Sequence, residues 1–274
     1  MDYTPRWQRN LPAKRKYRLT FNEGDLEICN LLSPTRAPWG YQYLPSGYFP
    51  ALLNRREGMK DRLGPLSRPP NTYLKIPEQP HNNYRDLIYS LDSKGADELR
   101  EAGHTVPRLH LRKLPHELMA CCIGASFEIG ATKHELPITI HTVSNDFYPD
   151  WPVFSLAGSP PIYIEADLAT ETLDTRKADA TSIAGKFVEY IKLLEKEDII
   201  VLFITTRDTR RDSMAGLLGS TLKPHQREMA RHFGFMSIQY DRFVNTIPKL
   251  SDWAVSSRYH RAIFPHLNLL ERRL

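Results

Sequence analysis

Residues 22–32 place Leu26, Cys29 and Leu32 at helical spacing behind a capping Asn22, which predicts a first helix. Tyr43-Leu44-Pro45-Ser46-Gly47 then opens a short second helix, Tyr48 to Asn54, with Tyr48, Leu52 and Leu53 on one side. A polar turn, Arg55-Arg56-Glu57-Gly58, leads into a third helix over 59–66. Pro65, Pro69-Pro70, Pro77 and Pro80 break the next stretch, so 71–76 reads as extended and 87–91 as a strand. Asp92-Ser93-Lys94-Gly95 leads into a helix from Ala96 to Ala102. From residue 113 the pattern changes. Leu114, Leu118, Cys121/Cys122, Ala125 and Ile129 mark a long helix buried on one broad face. Apolar runs at 137–141, 153–156 and 162–167 predict strands, followed by a helix from Ser182 to Leu194. A strand at 199–205, a helix near Gln226–Phe233 and a strand at 236–240 complete the order α-β-β-β-α-β-α-β.

That pattern predicts an α+β chain of two domains. Three small helices followed by two strands with a basic loop is the layout of a winged helix-turn-helix, expected over 19–106. Early hairpins and a later helix–strand alternation predict a mixed sheet with helices on both faces over 113–274. A length of 274 residues accommodates both.

Charge divides the chain further. Residues 1–18 carry six Lys/Arg, Arg15 and Lys16 among them, against one acid, and Tyr3, Trp7 and Tyr17 interleave with them. Residues 113–204 carry seven basic against fourteen acidic residues, and 205–274 carry twelve against six. Basic ends flanking an acidic middle suit a polyanionic partner if cations neutralise the middle. The expected partner is double-stranded DNA. The candidate contacts are Arg55, Arg56, Lys60 and Arg62 on the turn and third helix, Lys75 beside the wing, and Arg15 and Lys16 in the arm. A solvated tail and a helical domain for protein contacts are the bland alternatives. A homodimer is a further allowed partner state. No apolar run nears the roughly 20 residues of a membrane span; the longest, Ile199 to Ile204, is of strand length. No apolar segment follows the charged N-terminus, so a signal peptide is not expected. Three cysteines, two of them adjacent, exclude a disulfide framework and point to a reducing, cytoplasmic location.

The chemistry concentrates in the acidic middle. Pro149-Asp150 stands where one strand begins, and Glu165-Ala166-Asp167 ends another. If these strands form a hairpin, Asp150 and Glu165 converge. Two such carboxylates repel unless a hard cation such as Mg²⁺ lies between them. Lys186 and Tyr190 share a helix face at i, i+4. Arg207, Arg210 and Arg211 follow the strand at Thr205, where they either grip phosphate or line a solvated loop, and Thr170-Glu171 also reads as a helix-start cap. Other chemistries lack their signatures. Gly216-Leu217-Leu218-Gly219 has no Lys-Ser/Thr ending, His225 and His232 have no zinc partners, and no nucleophile elbow occurs.

This set, in this strand order, resembles the PD-(D/E)xK nuclease superfamily. Pro149-Asp150 matches the PD element and Glu165-Ala166-Asp167 the (D/E)-x-K position, with Asp167 where that superfamily has Lys. The resemblance implies Asp150, Glu165 and Lys186 as catalytic residues, Lys186 replacing the displaced lysine. Lys186-x-x-x-Tyr190 is similar to the Q-x-x-x-Y helix element of RecB-like members, and His116 stands where those members place a metal-ligand histidine, with Glu117 its less favoured neighbour. The implied metal set is Asp150, Glu165, Asp167 and His116, holding Mg²⁺ or Mn²⁺. More narrowly, Tyr43-Leu44-Pro45-Ser46-Gly47-Tyr48, the segment Tyr73 to Gln79, Leu87 to Leu91, Glu165-Ala166-Asp167-x-x-Thr170-Glu171 and Lys186-Phe187-x-x-Tyr190 resemble the replication-relaxation family of plasmids and mobile elements. That resemblance implies a winged-helix DNA-binding half, a nuclease-like half and mobile-DNA biology, but not cleavage itself; the expected function is a DNA-binding protein of mobile-element or phage/plasmid type whose nuclease-like half cuts or nicks DNA with a divalent metal. The alternative is a regulator or replication accessory that keeps the nuclease fold as a scaffold.

Overall fold

The computed structural model describes residues 19–54, 58–77, 86–107, 114–143, 149–168, 171, 173, 182–240, 242, 247 and 254–255. The basic arm, Arg55, Arg56 and the loop between Pro77 and Asp86 lie outside them. Those up to Ile129, with Arg242 and Ile247, form one compact unit; those from Gly130 to Tyr240, with Ala254 and Val255, form a second.

The first unit begins with α1 (Glu23–Leu31). Asn22 and Asp25 cap it reciprocally: the Asp25 N–H donates to Asn22 Oδ1 at 3.1 Å and the Asn22 N–H to Asp25 Oδ2 at 2.9 Å. Its buried face holds Asp25, Ile28, Cys29 and Leu31; of the stripe expected through Leu26, Cys29 and Leu32, the last two are buried and Leu26 is half-buried. Leu44–Pro45 forms β1, where the sequence pattern expected only the opening of a helix, and α2 (Tyr48–Leu52) and α3 (Met59–Leu66) follow. Then come β2 (Leu74–Lys75), β3 (Ile88–Leu91), α4 (Ser93–Glu101) and α5 (Leu114–Lys133). The three short strands pair antiparallel in the order β1-β3-β2, with Leu44 opposite Tyr89 and Leu74 opposite Leu91. Helix α4 packs on α1. Gly95 permits this approach, because a Cβ there would stand 2.4 Å from the Tyr73 carbonyl oxygen and 3.2 Å from Cys29 Sγ.

Helix α5 buries Leu118 through Ile123 without a break, so it has no polar stripe along those turns. Its Glu128 accepts a fork from Arg36, at 2.9 and 2.5 Å, and the Tyr41 hydroxyl proton. Trp39 Nε1 donates to the Tyr41 oxygen at 3.0 Å, so the buried carboxylate sits in a paired network. Cys29, Cys121 and Cys122 are buried thiols not joined in a disulfide. Burial pushes the Cys29 thiol up to about 12 and Cys122 well above its ordinary value, which keeps both thiols protonated and unreactive.

In the second unit six strands follow the chain across one mixed sheet: β4 (Ile138–Ile140), β5 (Phe154–Leu156), β6 (Ile162–Asp167), β7 (Ile200–Thr205), β8 (Phe233–Ser237) and β9 (Ala254–Val255). The pairs β4–β5, β5–β6 and β8–β9 are antiparallel, and β6–β7 and β7–β8 are parallel. Every residue of β6, β7 and β8 is buried, which explains runs without alternation. Helix α6 (Ile183–Leu194) crosses from β6 to β7, and α7 (Asp208–Thr221) starts the crossing from β7 to β8. Two crossovers of one hand, stepping in one direction, place both helices on one face. Their shared core holds Ile183, Phe187 and Tyr190 from α6, Met214 and Leu218 from α7, and Phe203, Phe233 and Phe235 from the strands. The Phe187 ring meets Phe203 edge-on at 5.0 Å and Phe235 at 5.9 Å.

Two expectations are corrected in this unit. Helix α7 stands where only a loop was expected, because just Met214, Ala215 and Leu218 of its fourteen residues are buried, too narrow a stripe to read. The last expected helix is a 3-10 helix over Pro224–His232, and the strand after it is 233–237 rather than 236–240. Parallel pairing decides that boundary by setting Phe233 opposite Val201 and Ser237 opposite Thr205. Among the described residues, no helix is long and apolar enough to cross a membrane.

Candidate functional site

Alternation along β6 builds the site. Tyr163, Glu165 and Asp167 share the strand face that α6 and α7 cover, while Ile162, Ile164 and Ala166 take the other. Tyr163 packs against the Tyr190 ring at 5.6 Å. One pleat on, Glu165 is 2% exposed and meets two α6 side chains: Lys186 Nζ donates to its Oε2 at 2.7 Å and the Tyr190 hydroxyl to its Oε1 at 2.5 Å. Four residues is one helical turn, so Lys186 and Tyr190 bracket one carboxylate. Ser182 starts this helix by accepting the Gly185 N–H at 3.0 Å. The helix therefore starts after Ser182; Thr170 of the expected Thr170-Glu171 cap lies outside the described residues.

Asp150 arrives along the edge of β6. Its N–H donates to the Ile164 carbonyl at 3.2 Å, and its Oδ2 accepts the Ala166 N–H at 2.9 Å. That side-chain bond aims the carboxylate at the end of the strand, 3.9 Å from Lys186 Nζ. Glu171, past the end of β6, reaches the same ammonium with its Oε1 at 2.9 Å. So Asp150, Glu165 and Glu171 surround Lys186, formally three negative charges against one positive.

Burial raises the Glu165 carboxyl to about 7; Lys186 opposes that rise and Asp150 adds to it. For Lys186, burial pulls the pKa down, but Glu165, Asp150 and Glu171 outweigh it and the net direction is up, so the ammonium stays charged. Burial, then Glu165, lifts Tyr190 well above the ordinary phenol, so its O–H remains a donor. The group opens to solvent on one side: the Asp150 and Glu171 side chains are 21% and 24% exposed, Lys186 13%.

Asp167 has a different partner. Arg210, in the first turn of α7, donates from Nε to its Oδ2 at 2.8 Å, and Thr205 Oγ1 donates to the same oxygen at 3.2 Å. Arg210 also reaches the Glu171 carbonyl at 2.5 Å. Arg211 is engaged with Asp208, Asp212 and Ser237. Arg210 and Arg211 are thus held within the protein rather than lining a solvated loop.

The side chains expected at the second unit's site, Asp150, Glu165 and Lys186, are brought together. Asp167 stands one pleat away on Arg210, and His116 lies in the first turn of α5, within the first unit. Glu171 and Arg210 join the site although neither was expected as a site residue there: Glu171 was read only as part of the Glu165-to-Glu171 motif and a helix-start cap, and Arg210 as a phosphate grip or loop residue. The signal that pointed to Glu171 is its place in the Glu165-Ala166-Asp167-x-x-Thr170-Glu171 segment just past a strand end.

The expected DNA contacts divide three ways. Arg15, Lys16, Arg55 and Arg56, and the side chain of Lys60, lie outside the described residues. Lys75 is exposed on β2, opposite Ser90 of β3. Arg62 is turned to the fold: its Nε and Nη2 grip buried Asp25, each at 2.6 Å, and Nη2 also donates to the Thr20 carbonyl at 2.6 Å.

Among the described residues no group of three or more His, Cys, Asp or Glu side chains is arranged to hold a metal by itself, and here the ammonium stands among the carboxylates. The group's carboxylate oxygens are of the donor type that a hard divalent cation takes. The formal balance of the group is −2, and Glu171 Oε2 is buried with no hydrogen-bond partner among the described residues. Comparison of the chain with protein families, with characterised proteins and with solved structures gave no match.

Proposed function

We propose that this chain is a DNA-binding protein of the replication-relaxation type, in which a winged-helix first unit docks on duplex DNA and a PD-(D/E)xK-like second unit cuts or nicks it with Mg²⁺ or Mn²⁺. The observation that carries the reading is the convergence of Asp150 and Glu165 on Lys186 at the end of β6, with Tyr190 on the same carboxylate. In the second unit, the order of three antiparallel strands, crossover helix and parallel strand supports it. In the first unit, the order α1-β1-α2-α3-β2-β3-α4 with sheet order β1-β3-β2 supports a winged helix whose α3 enters the major groove.

Asp150 and Glu165 are the residues that would hold the cation, whose chemistry is to activate water and neutralise phosphodiester charge. The chain's own groups prepare that place. The Ala166 N–H orients Asp150, and the Tyr190 hydroxyl orients Glu165. Lys186, kept charged by its neighbours, presents an ammonium where an attacking water or a phosphate oxygen would come. Asp167 takes no part as the missing lysine; the charge beside it comes from Arg210.

The test is nicking of supercoiled plasmid by the full chain with Mg²⁺ or Mn²⁺. Asp150→Ala and Glu165→Ala should abolish nicking and leave gel-shift affinity unchanged, and Lys186→Ala should abolish nicking without removing the metal. One observation favours a second reading: the ammonium already stands among the carboxylates, as in a structural ion-pair network. Tight DNA binding with no metal-dependent nicking would select that scaffold reading.

A further inference from the structure

Resting on the reading of Lys186 as the ammonium that meets an attacking water or a phosphate oxygen, we infer that Glu171 fixes the direction of that ammonium and that Arg210 positions Glu171. An ammonium is a rotatable set of three N–H donors on a flexible stem, so a single acceptor leaves it free to turn. Lys186 has two acceptors on separate parts of the chain. One N–H goes to Glu165 Oε2 on β6 at 2.7 Å, and one to Glu171 Oε1, past the end of that strand, at 2.9 Å. Asp150 Oδ2 stands at 3.9 Å, beyond hydrogen-bond reach. With two donors held, the third N–H has one direction left and no acceptor among the described residues. A water or a phosphate oxygen is what it can meet there. Glu165 alone would hold the charge, and Glu171 adds the direction.

Glu171 belongs to no helix or strand, so it needs an anchor to act at a fixed place. Arg210 Nη2 supplies one by donating to the Glu171 carbonyl at 2.5 Å. Arg210 is itself fixed at both ends. Its backbone lies in the first turn of α7, and its guanidinium forks onto Asp167, with Nε at 2.8 Å and Nη2 at 3.4 Å. Asp167 is in turn tied to β7 through Thr205. The chain of contacts therefore runs from β7 through Asp167 and Arg210 to Glu171, and ends on Lys186. It also accounts for Asp at position 167: a lysine there would face the Arg210 guanidinium, a like charge with a side chain only 12% exposed.

The experiment has two arms on the full chain and on E171A, E171Q, R210K and the E171A/R210K double variant, with melting temperatures recorded for each. The first arm is competitive acetylation by acetic anhydride, read by mass spectrometry as the ratio of Lys186 to Lys192, a 60% exposed lysine of the same helix. Glu171 is one of three carboxylates that hold the Lys186 proton, so E171A should raise the ratio about tenfold, the gain in free amine for each unit by which the pKa falls. R210K should raise it by less, because it releases Glu171 without removing it: a lysine keeps a cation on Asp167 but lacks the planar fork that also reaches the Glu171 carbonyl. An unchanged ratio in E171A or in R210K would overturn the role of that residue. Should R210K melt early, the neutral R210Q replaces it.

The second arm is plasmid nicking. E171A and R210K should each lower kcat by about 10- to 100-fold with KM unchanged, the scale of a misplaced reacting group. The double variant should lie within about twofold of E171A, because Arg210 acts through Glu171. E171Q keeps an acceptor oxygen without the charge, so it should recover most of kcat; an E171Q as slow as E171A would show that charge rather than direction matters and would overturn the inference, as would losses that multiply in the double variant. A wild type that does not nick removes the nuclease reading, and the acetylation ratios then decide the anchoring of Lys186 by themselves.

Discussion

Ionised Glu165 destabilises the metal-free protein, and the cost has a defined pH window. Its carboxyl titrates near 7 in the fold, against the ordinary 4.5. Between those values the folded chain holds a proton that the unfolded chain has released, so stability falls as pH rises through the window and levels above it. Integrating the two titrations from pH 5 to pH 8, at 1.36 kcal/mol per unit, gives a loss of about 2.5 kcal/mol. Glu165→Gln is neutral like the protonated side chain and keeps one acceptor oxygen for the Lys186 ammonium, with its NH2 able to donate to the Tyr190 hydroxyl oxygen. The assay is urea denaturation in chelator, followed by circular dichroism, of the wild type and Glu165→Gln at pH 5 to 8. The wild type should lose about 2.5 kcal/mol more than the variant across that range. Adding Mn²⁺ at pH 8 should stabilise the wild type and leave the variant unchanged, since a ligand of the folded state stabilises by mass action. Parallel pH profiles would refute the reasoning, because they would mean that burial does not dominate the Glu165 environment.

Two further outcomes concern DNA. Arg62→Ala should cost about 2–3 kcal/mol of stability by stranding buried Asp25, whereas Arg55→Ala, Arg56→Ala and Lys60→Ala should weaken DNA binding with little change in melting temperature; a stable Arg62→Ala that loses DNA binding would return Arg62 to the interface. Deleting residues 1–18 should weaken duplex binding and make log K against log salt shallower by about 0.9 for each phosphate that the arm no longer neutralises, and a truncated chain that binds unchanged at every salt concentration would remove the arm from the interface.

Much of the fold was legible because it rests on local pattern. The buried strands β6 and β7 show as apolar runs, and α6 shows through Ile183, Phe187, Tyr190 and Ile191 at helical spacing behind Ser182. Asp150, Glu165 and Lys186 were legible for a related reason, since each is a charged residue at the edge of, or within, an apolar element where burial has to be offset. Helix α7 was hidden because its apolar stripe is narrow and two glycines lower its helix propensity. The end of the 3-10 helix was hidden because pairing with β7, not local pattern, sets where β8 begins.

The sequence by itself determined the strongly apolar strands and the well-patterned helices, the charge division along the chain, and the residue types available at the site. Only the tertiary structure decided partnership. Arg62 carries the same charge as its neighbours on α3, yet a buried carboxylate 37 positions earlier takes its guanidinium. Arg210 reads like Arg207 and Arg211 along the chain, yet it is the one that meets Asp167, 43 positions away across the parallel sheet. Glu171 reads as a helix-start residue, yet it closes the ring around Lys186. Charge is a property of a residue, but pairing depends on which surfaces the crossovers bring within about 3 to 4 Å, and at those distances a buried pair outweighs any local preference.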